Sequence, residues 1–262
     1  MSSQGTIKIM PLVKKPQHDN TKWLVLAVFC ITVFGNSLFW VTFAPISDIT
    51  EDYIGGNTFN NVTSVNMLAN IFLILFLPGT WFGNLVRKQY GMRQAMIICC
   101  TITVLGAILR FIPSLFHDQM NSSLIYLLLL SGQMLAAISQ PFFCNIPPAV
   151  ACIWFPVAQR DLATTIGFFF NPIGNALGET LAAAFVTQSI DPVTNESTVS
   201  GMSLLLGIEL IICVLALLLT YFFFQDAPKV PPSTSAKLIE QVHYLVLSNC
   251  CFYNRVITIC SI

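Results

Sequence analysis

Six stretches of this chain run for at least 15 residues with almost no charge, and no other feature constrains the fold as tightly. They cover 23–46, 63–86, 95–109, 124–154, 162–186 and 201–224, with Glu179 and Glu209 as the acids that interrupt the last two. Core helices of soluble domains seldom carry such runs, whereas a hydrocarbon layer of about 30 Å asks for roughly 20 apolar residues at a helical rise of about 1.5 Å each. The third run reaches that length only by taking in residues 110–113, with Arg110 snorkelling toward the interface. Composition points the same way: 55% hydrophobic residues, 9% charged and a mean hydropathy of +0.73 leave too little polar surface for a soluble domain. The expected fold class is therefore an all-α membrane protein of six transmembrane helices. Residues 1–22 are expected as a cytosolic segment, 23–224 as the bundle and 225–262 as a cytosolic tail. The first run is too long for a signal-peptide core and no small-residue cleavage site follows it, so it reads as a retained signal anchor.

Basic residues set the orientation, because Lys and Arg are retained on the cytosolic side during insertion. Lys8, Lys14, Lys15 and Lys22 precede the first span, Arg87, Lys88 and Arg93 join the second to the third, Arg160 joins the fourth to the fifth, and Lys229 and Lys237 follow the sixth. The alternate connectors 47–62, 114–123 and 187–200 contain no Lys or Arg, and each carries one glycosylation sequon, at Asn61, Asn121 and Asn195. Both termini are thus expected in the cytosol. None of the nine cysteines falls in those external connectors, so no disulfide framework is expected. Cys250 and Cys251 are candidates for palmitoylation.

With zero net charge and no basic patch interleaved with aromatics, nothing points to nucleic acid. His18, His117 and His243 all lie outside the spans, which gives no histidine metal or haem site within the membrane, and no cofactor is expected. No nucleophile–base pair, phosphate-binding loop or dinucleotide fingerprint is present, so enzymatic activity is not expected.

Polar groups inside the spans carry the remaining information, since each must find a partner or face water. Asn36 and Trp40 share one face of the first span, and Gln133 and Gln140 share one face of the fourth, ahead of Pro141, Pro147 and Pro148. For the first pair the alternatives are an interhelical hydrogen bond with an interfacial tryptophan, or a functional site; for the second, the prolines that follow break the helix ladder, an interruption tolerated where helices line a cavity. Gly174 and Gly178 form a small-xxx-small pair suited to close helix contact. Glu179 and Glu209 lie at similar depth and could share a vestibule as a cation or proton site; the competing reading is a neutral acid hydrogen-bonded between helices. Arg110 is expected to snorkel or to pair with an acid.

The runs Asn36 to Asp48, Pro78-Gly79-Thr80-Trp81 and Leu105 to Pro113 resemble the feline leukaemia virus subgroup C receptor-related (FLVCR) branch of the major facilitator superfamily, solute carrier family 49. So do Ser131-Gly132-Gln133 with Ser139-Gln140, the stretch Trp154 to Ala163, and Asp226-Ala227-Pro228 through Pro231-Pro232-Ser233. The resemblance spans about 210 residues in shared order and implies the N-terminal half of that fold, two inverted three-helix repeats. It implies transport of choline, ethanolamine or a related small cation, with haem export as the older family assignment, and location in the plasma membrane. A span-one tryptophan and a span-four glutamine of the family's pocket correspond to Trp40 and Gln140. The cation–π attraction of an aromatic face suits a quaternary ammonium, which has no hydrogen to donate.

The chain departs from the pattern in two places. The cytosolic gate loop, Gly83 through Gly91 to Arg93, has no acid and is one residue longer than usual; Arg160 is the basic residue of the other cytosolic connector. Family-like sequence stops after Pro232, which suggests a truncated form. Transport by alternating access would then require a homodimer or a partner half. The alternative, from a different class, is a non-transporting membrane protein that binds or regulates a full-length relative.

Overall fold

The computed structural model describes residues 20–55, 62–190 and 197–228. Helix α1 (Thr21–Val41) leads into a short α2 (Ser47–Ile54), then α3 (Val62–Leu115), α4 (Ser122–Asn145), α5 (Pro147–Trp154), α6 (Val157–Phe185) and α7 (Met202–Phe223). Between α6 and α7 lies an antiparallel hairpin, β1 (Thr187–Ile190) with β2 (Ser197–Ser200), paired Gln188 to Val199. Neither α2 nor the hairpin was expected from the hydrophobic runs, because both belong to polar connectors whose order comes from contacts with one another.

Helix α3 is two arms, 62–90 and 92–115, meeting at Gly91, whose φ of 86° and ψ of 177° no helix can contain. A side chain at that positive φ would be strained, and glycine removes the strain. The expected gate loop is therefore a single-residue bend: Gly83 lies within the first arm and Arg93 within the second. The expected fourth span is likewise divided. Its ladder stops at Ile146, where Pro147 opens α5 as a first-turn residue that needs no donor. Among the described residues, four helices are long and apolar enough to cross a bilayer by length and composition: α1, 65–115 of α3, α4 and α7. With 51 residues, that portion of α3 is far longer than a single crossing needs. Helix α6 has 29 residues but carries Arg160, Asp161, Asn171, Asn175 and Glu179, too polar to join the four on composition.

Helix α4 packs along α3, α6 along α1, and α7 against α3 and α1. Small residues set how closely these axes approach. A methyl group at Gly174 would meet Phe34 O at 2.8 Å, and one at Gly178 would meet Leu38 O at 2.7 Å, so the pair does seat α6 on the backbone of α1. Gly106 and Gly132 do the same for α3 and α4: a methyl on either would lie 2.6 Å from the other's carbonyl oxygen.

The two ends of the bundle differ in charge. At one end the connectors without basic residues gather: Gln188 of the hairpin donates its amide to the Asp52 carboxylate, and the His117 ring nitrogen lies 2.7 Å from Tyr53 O with the two rings 4.5 Å apart. At the other end Lys22 donates to Gln159 at 2.7 Å, Trp23 packs edge-on against Phe155, and Arg160 donates to the carbonyls of Cys152 and Phe155 that close α5. The Arg93 amide donates to Asp226 Oδ1 at 2.7 Å and its guanidinium to Tyr221 O at 3.0 Å, tying the start of the second α3 arm to the end of α7. A carboxylate at those first, otherwise unpaired amides acts as a helix cap supplied from a distant part of the chain.

Candidate functional site

Of the described Lys and Arg residues, Arg110 alone lies away from the basic end. It does not snorkel. Its side chain is 1% exposed, its stem runs over Gly132, where a methyl would lie 2.6 Å from Arg110 Cγ, and its Nη2 is 3.1 Å from Glu209 Oε2 on α7. The guanidinium carbon lies 4.2 Å from the Phe39 ring centre and 4.7 Å from that of Phe43. Thr42, the C-cap of α1 and between those two residues in sequence, places its hydroxyl 2.6 Å from Glu209 Oε1 and 2.5 Å from Leu38 O. A buried cation is thus shared between an acid and two aromatic faces, in a setting where water does not screen either interaction. Glu179 is in different surroundings, exposed on α6, whereas Glu209 is enclosed. Phe39, Thr42 and Phe43 did not stand out in the sequence, although their i, i+3, i+4 spacing does place them on one face.

The amides singled out as candidates for a binding site divide into two kinds. Asn36 Nδ2 donates to Thr103 Oγ1 at 3.1 Å and to Ala136 O at 3.2 Å, and Gln133 Nε2 donates to Phe39 O and Leu68 O, both at 3.1 Å. These bonds are reciprocal: α1 sends an amide to a carbonyl of α4, and α4 returns one to α1 a turn away. Both side chains are buried, and their carbonyl oxygens, Asn36 Oδ1 and Gln133 Oε1, have no partner among the described residues. Beside Asn36 lies a void about large enough for one water, lined also by Thr32, Cys100 and Thr103. Gln140 differs from both. It is 4% exposed, and among the described residues its side chain makes no hydrogen bond.

Trp40 is half-buried and stacks on Phe72 with ring centres 6.3 Å apart and planes at 22°. The contacts Asn36 to Ala136 and Gln133 to Phe39 fix α1 and α4 as antiparallel. In that register Trp40 is level with Gln133, and Gln140 lies about eight residues deeper, ~12 Å along the axis at the helical rise. Trp40 and Gln140 are therefore on neighbouring helices at different depths. Of the sequons, Asn121 is exposed at the start of α4, at the end of the bundle that lacks basic residues; Asn61 and Asn195 lie outside the described residues, as do Cys250 and Cys251.

The model of the Major Facilitator Superfamily matches residues 25–259, so family-like sequence continues past Pro232, where it was expected to stop. Solute carrier family 49 member A3 of Xenopus tropicalis is 30% identical over 219 residues, which cover 82% of this chain and 42% of that protein. The choline/ethanolamine transporter FLVCR2 of Homo sapiens is 23% identical over 217 residues, covering 83% of this chain and 39% of the relative. Its Danio rerio counterpart flvcr2a is 24% identical over 215 residues, covering 81% and 42%. The chain thus spans less than half the length of each of these relatives.

Proposed function

The chain belongs to the major facilitator superfamily, as an FLVCR-related member, and on that premise we propose that it is a six-helix half of a membrane transporter for a small organic cation such as choline or ethanolamine. The observation that carries the reading is the state of the buried amides. Asn36 and Gln133 spend their donors tying helices together, and Gln140 alone of the three keeps its amide uncommitted, able to bind a hydroxyl or amine. Trp40, stacked on Phe72, offers an aromatic face for the cation. Because the two stand ~12 Å apart in depth, they serve as successive stations on one path: Trp40 takes the ammonium first and Gln140 the polar group further in. Asn36 and Gln133 then position these stations and contact cargo only through their unpartnered oxygens.

Six crossings follow if the arms of α3 count as two and α6 crosses among its apolar neighbours. The charge difference between the ends supports both termini in the cytosol, with Asn61, Asn121 and Asn195 as external glycosylation sites; the sequons and the family resemblance support the plasma membrane as location. Gly83, Gly91, Arg93 and Arg160 then stand at the cytosolic gate, and Glu179 and Glu209 are candidates for a cation or proton site. The Phe43 to Asp48 stretch supports a place near the branch member called major facilitator domain-containing protein seven. Alternating access requires an opposing half.

The test is uptake of labelled choline by cells expressing the chain, beside Trp40→Ala and Gln140→Leu at equal surface level, with delivery checked by glycosidase-sensitive mobility. Uptake above background that falls at least tenfold in both variants is the expected result. A glycosylated surface protein that moves neither choline nor ethanolamine overturns the transport reading, and a non-transporting partner of a full-length relative takes its place.

A further inference from the structure

The Thr42 hydroxyl has one hydrogen and two oxygens to satisfy. Oγ1 lies 2.5 Å from Leu38 O and 2.6 Å from Glu209 Oε1. Oxygens this close need a hydrogen between them, because lone pairs facing each other at that distance repel. Leu38 O is a carbonyl and can only accept, so Thr42 donates to it and the second hydrogen comes from Glu209, the only partner there with a place to carry one. Arg110 gives a second, independent sign. Although Nη2 is 3.1 Å from Oε2, none of the three guanidinium nitrogens is aligned for a hydrogen bond, whereas an ionised carboxylate would draw a planar fork into bidentate register. The guanidinium lies instead over the faces of Phe39 and Phe43.

We propose that Glu209 is a proton-binding site, carrying a proton on Oε1 in this state and passing its hydrogen bond through Thr42 to Leu38 O, while Arg110 is held as a lone cation between two phenylalanine rings. This deepens the reading of Glu209 as an ion site and rests on that reading, but not on the identity of the cargo. Few groups bear on the acid. From α3 it faces Arg110; from α1, Thr42 between Phe39 and Phe43; and along its own helix Cys213 lies one turn on. Glu179 of α6 is exposed and takes no part. Release requires an arrangement that opens Glu209 to water; the proton then goes to that water, the Thr42 hydroxyl swings from Leu38 O to Oε1, and the carboxylate becomes a full counter-ion for Arg110. Proton occupancy therefore chooses between two arrangements: Arg110 on the rings of α1, or Arg110 drawn to α7.

Infrared spectroscopy of the purified chain in lipid nanodiscs tests this. At neutral pH the wild type is expected to show a carboxylic-acid carbonyl band that Glu209→Gln lacks, and Thr42→Val is expected to move that band because the acid loses its acceptor. A spectrum in which Glu209→Gln leaves every acid band in place overturns the proposal. Should Glu209→Gln fail to fold, Thr42→Val decides: unmoved acid bands overturn it and a moved band supports it. Failure of choline uptake with the band intact would remove the transport reading alone, and uptake without the band would remove the proton site alone.

Discussion

Arg110 and Glu209 approach to 3.1 Å inside the helix bundle, each about 1% exposed, joining the second arm of α3 to α7. The two aromatic rings beneath Arg110 mean that its stability does not depend on the acid alone. Glu209→Gln, isosteric with a protonated acid, is expected to change stability by less than about 1 kcal/mol, whereas Arg110→Ala empties the space over Gly132 and both rings and should cost about 3–5 kcal/mol. Thermal unfolding in detergent separates the two. A Glu209→Gln loss as large as that of Arg110→Ala would mean a conventional ion pair.

The seat of α6 on α1 has no room for a side chain at Gly178, where an added methyl would meet Leu38 O at 2.7 Å. Gly178→Ala should therefore cost about 1–3 kcal/mol by forcing the helices apart. Gly207→Ala is the contrast, since its methyl would meet nothing nearer than Phe111 at 3.4 Å. It is expected to be neutral or to stabilise by up to about 1 kcal/mol through helix propensity. Melting temperatures of the two variants, measured side by side, check the difference.

Gln133 and Gln140 should behave as opposites. Gln133→Leu removes two bonds to main-chain carbonyls of α1 and α3 and should cost about 1–2 kcal/mol. Gln140→Leu removes none and should leave stability within about 0.5 kcal/mol while abolishing uptake. Stability and transport measured on the same preparations check both halves; a destabilised Gln140→Leu would return that residue to a structural role.

Tyr53 lies in α2 with a buried hydroxyl that has no partner among the described residues. Tyr53→Phe is expected to be neutral or slightly stabilising, because it removes a group that lost water and gained nothing. Burial also pushes the phenol from its ordinary 10.0 up to about 12. The unfolded chain then releases this proton first, so stability should fall as pH rises from about 10 to about 12. Denaturation followed across that window should show a smaller decline in Tyr53→Phe than in wild type.

The sequence by itself determined that the chain is helical and built for a membrane, which polar residues lie within the apolar runs, and how charge divides between its ends. These properties depend on hydrophobic length and on Lys and Arg placement, both local and additive along the chain. The Gly174 and Gly178 contact was legible for the same reason, since a four-residue spacing already fixes a helix face. Only the tertiary structure decided which partner each polar group meets. Arg110, Phe39, Thr42 and Glu209 come from three separate helices, and no spacing rule links them. Glu179 and Glu209 look alike in sequence, at similar depths in neighbouring spans, yet helix rotation leaves one exposed and encloses the other. Likewise Trp40 and Gln140 sit on apolar helices that the sequence predicts well, but their relative depth follows from the antiparallel register set by Asn36 and Gln133. Hydrophobic burial gives helices their faces without direction along the axis; hydrogen bonds and close glycine contacts, being directional and short-ranged, fix the register.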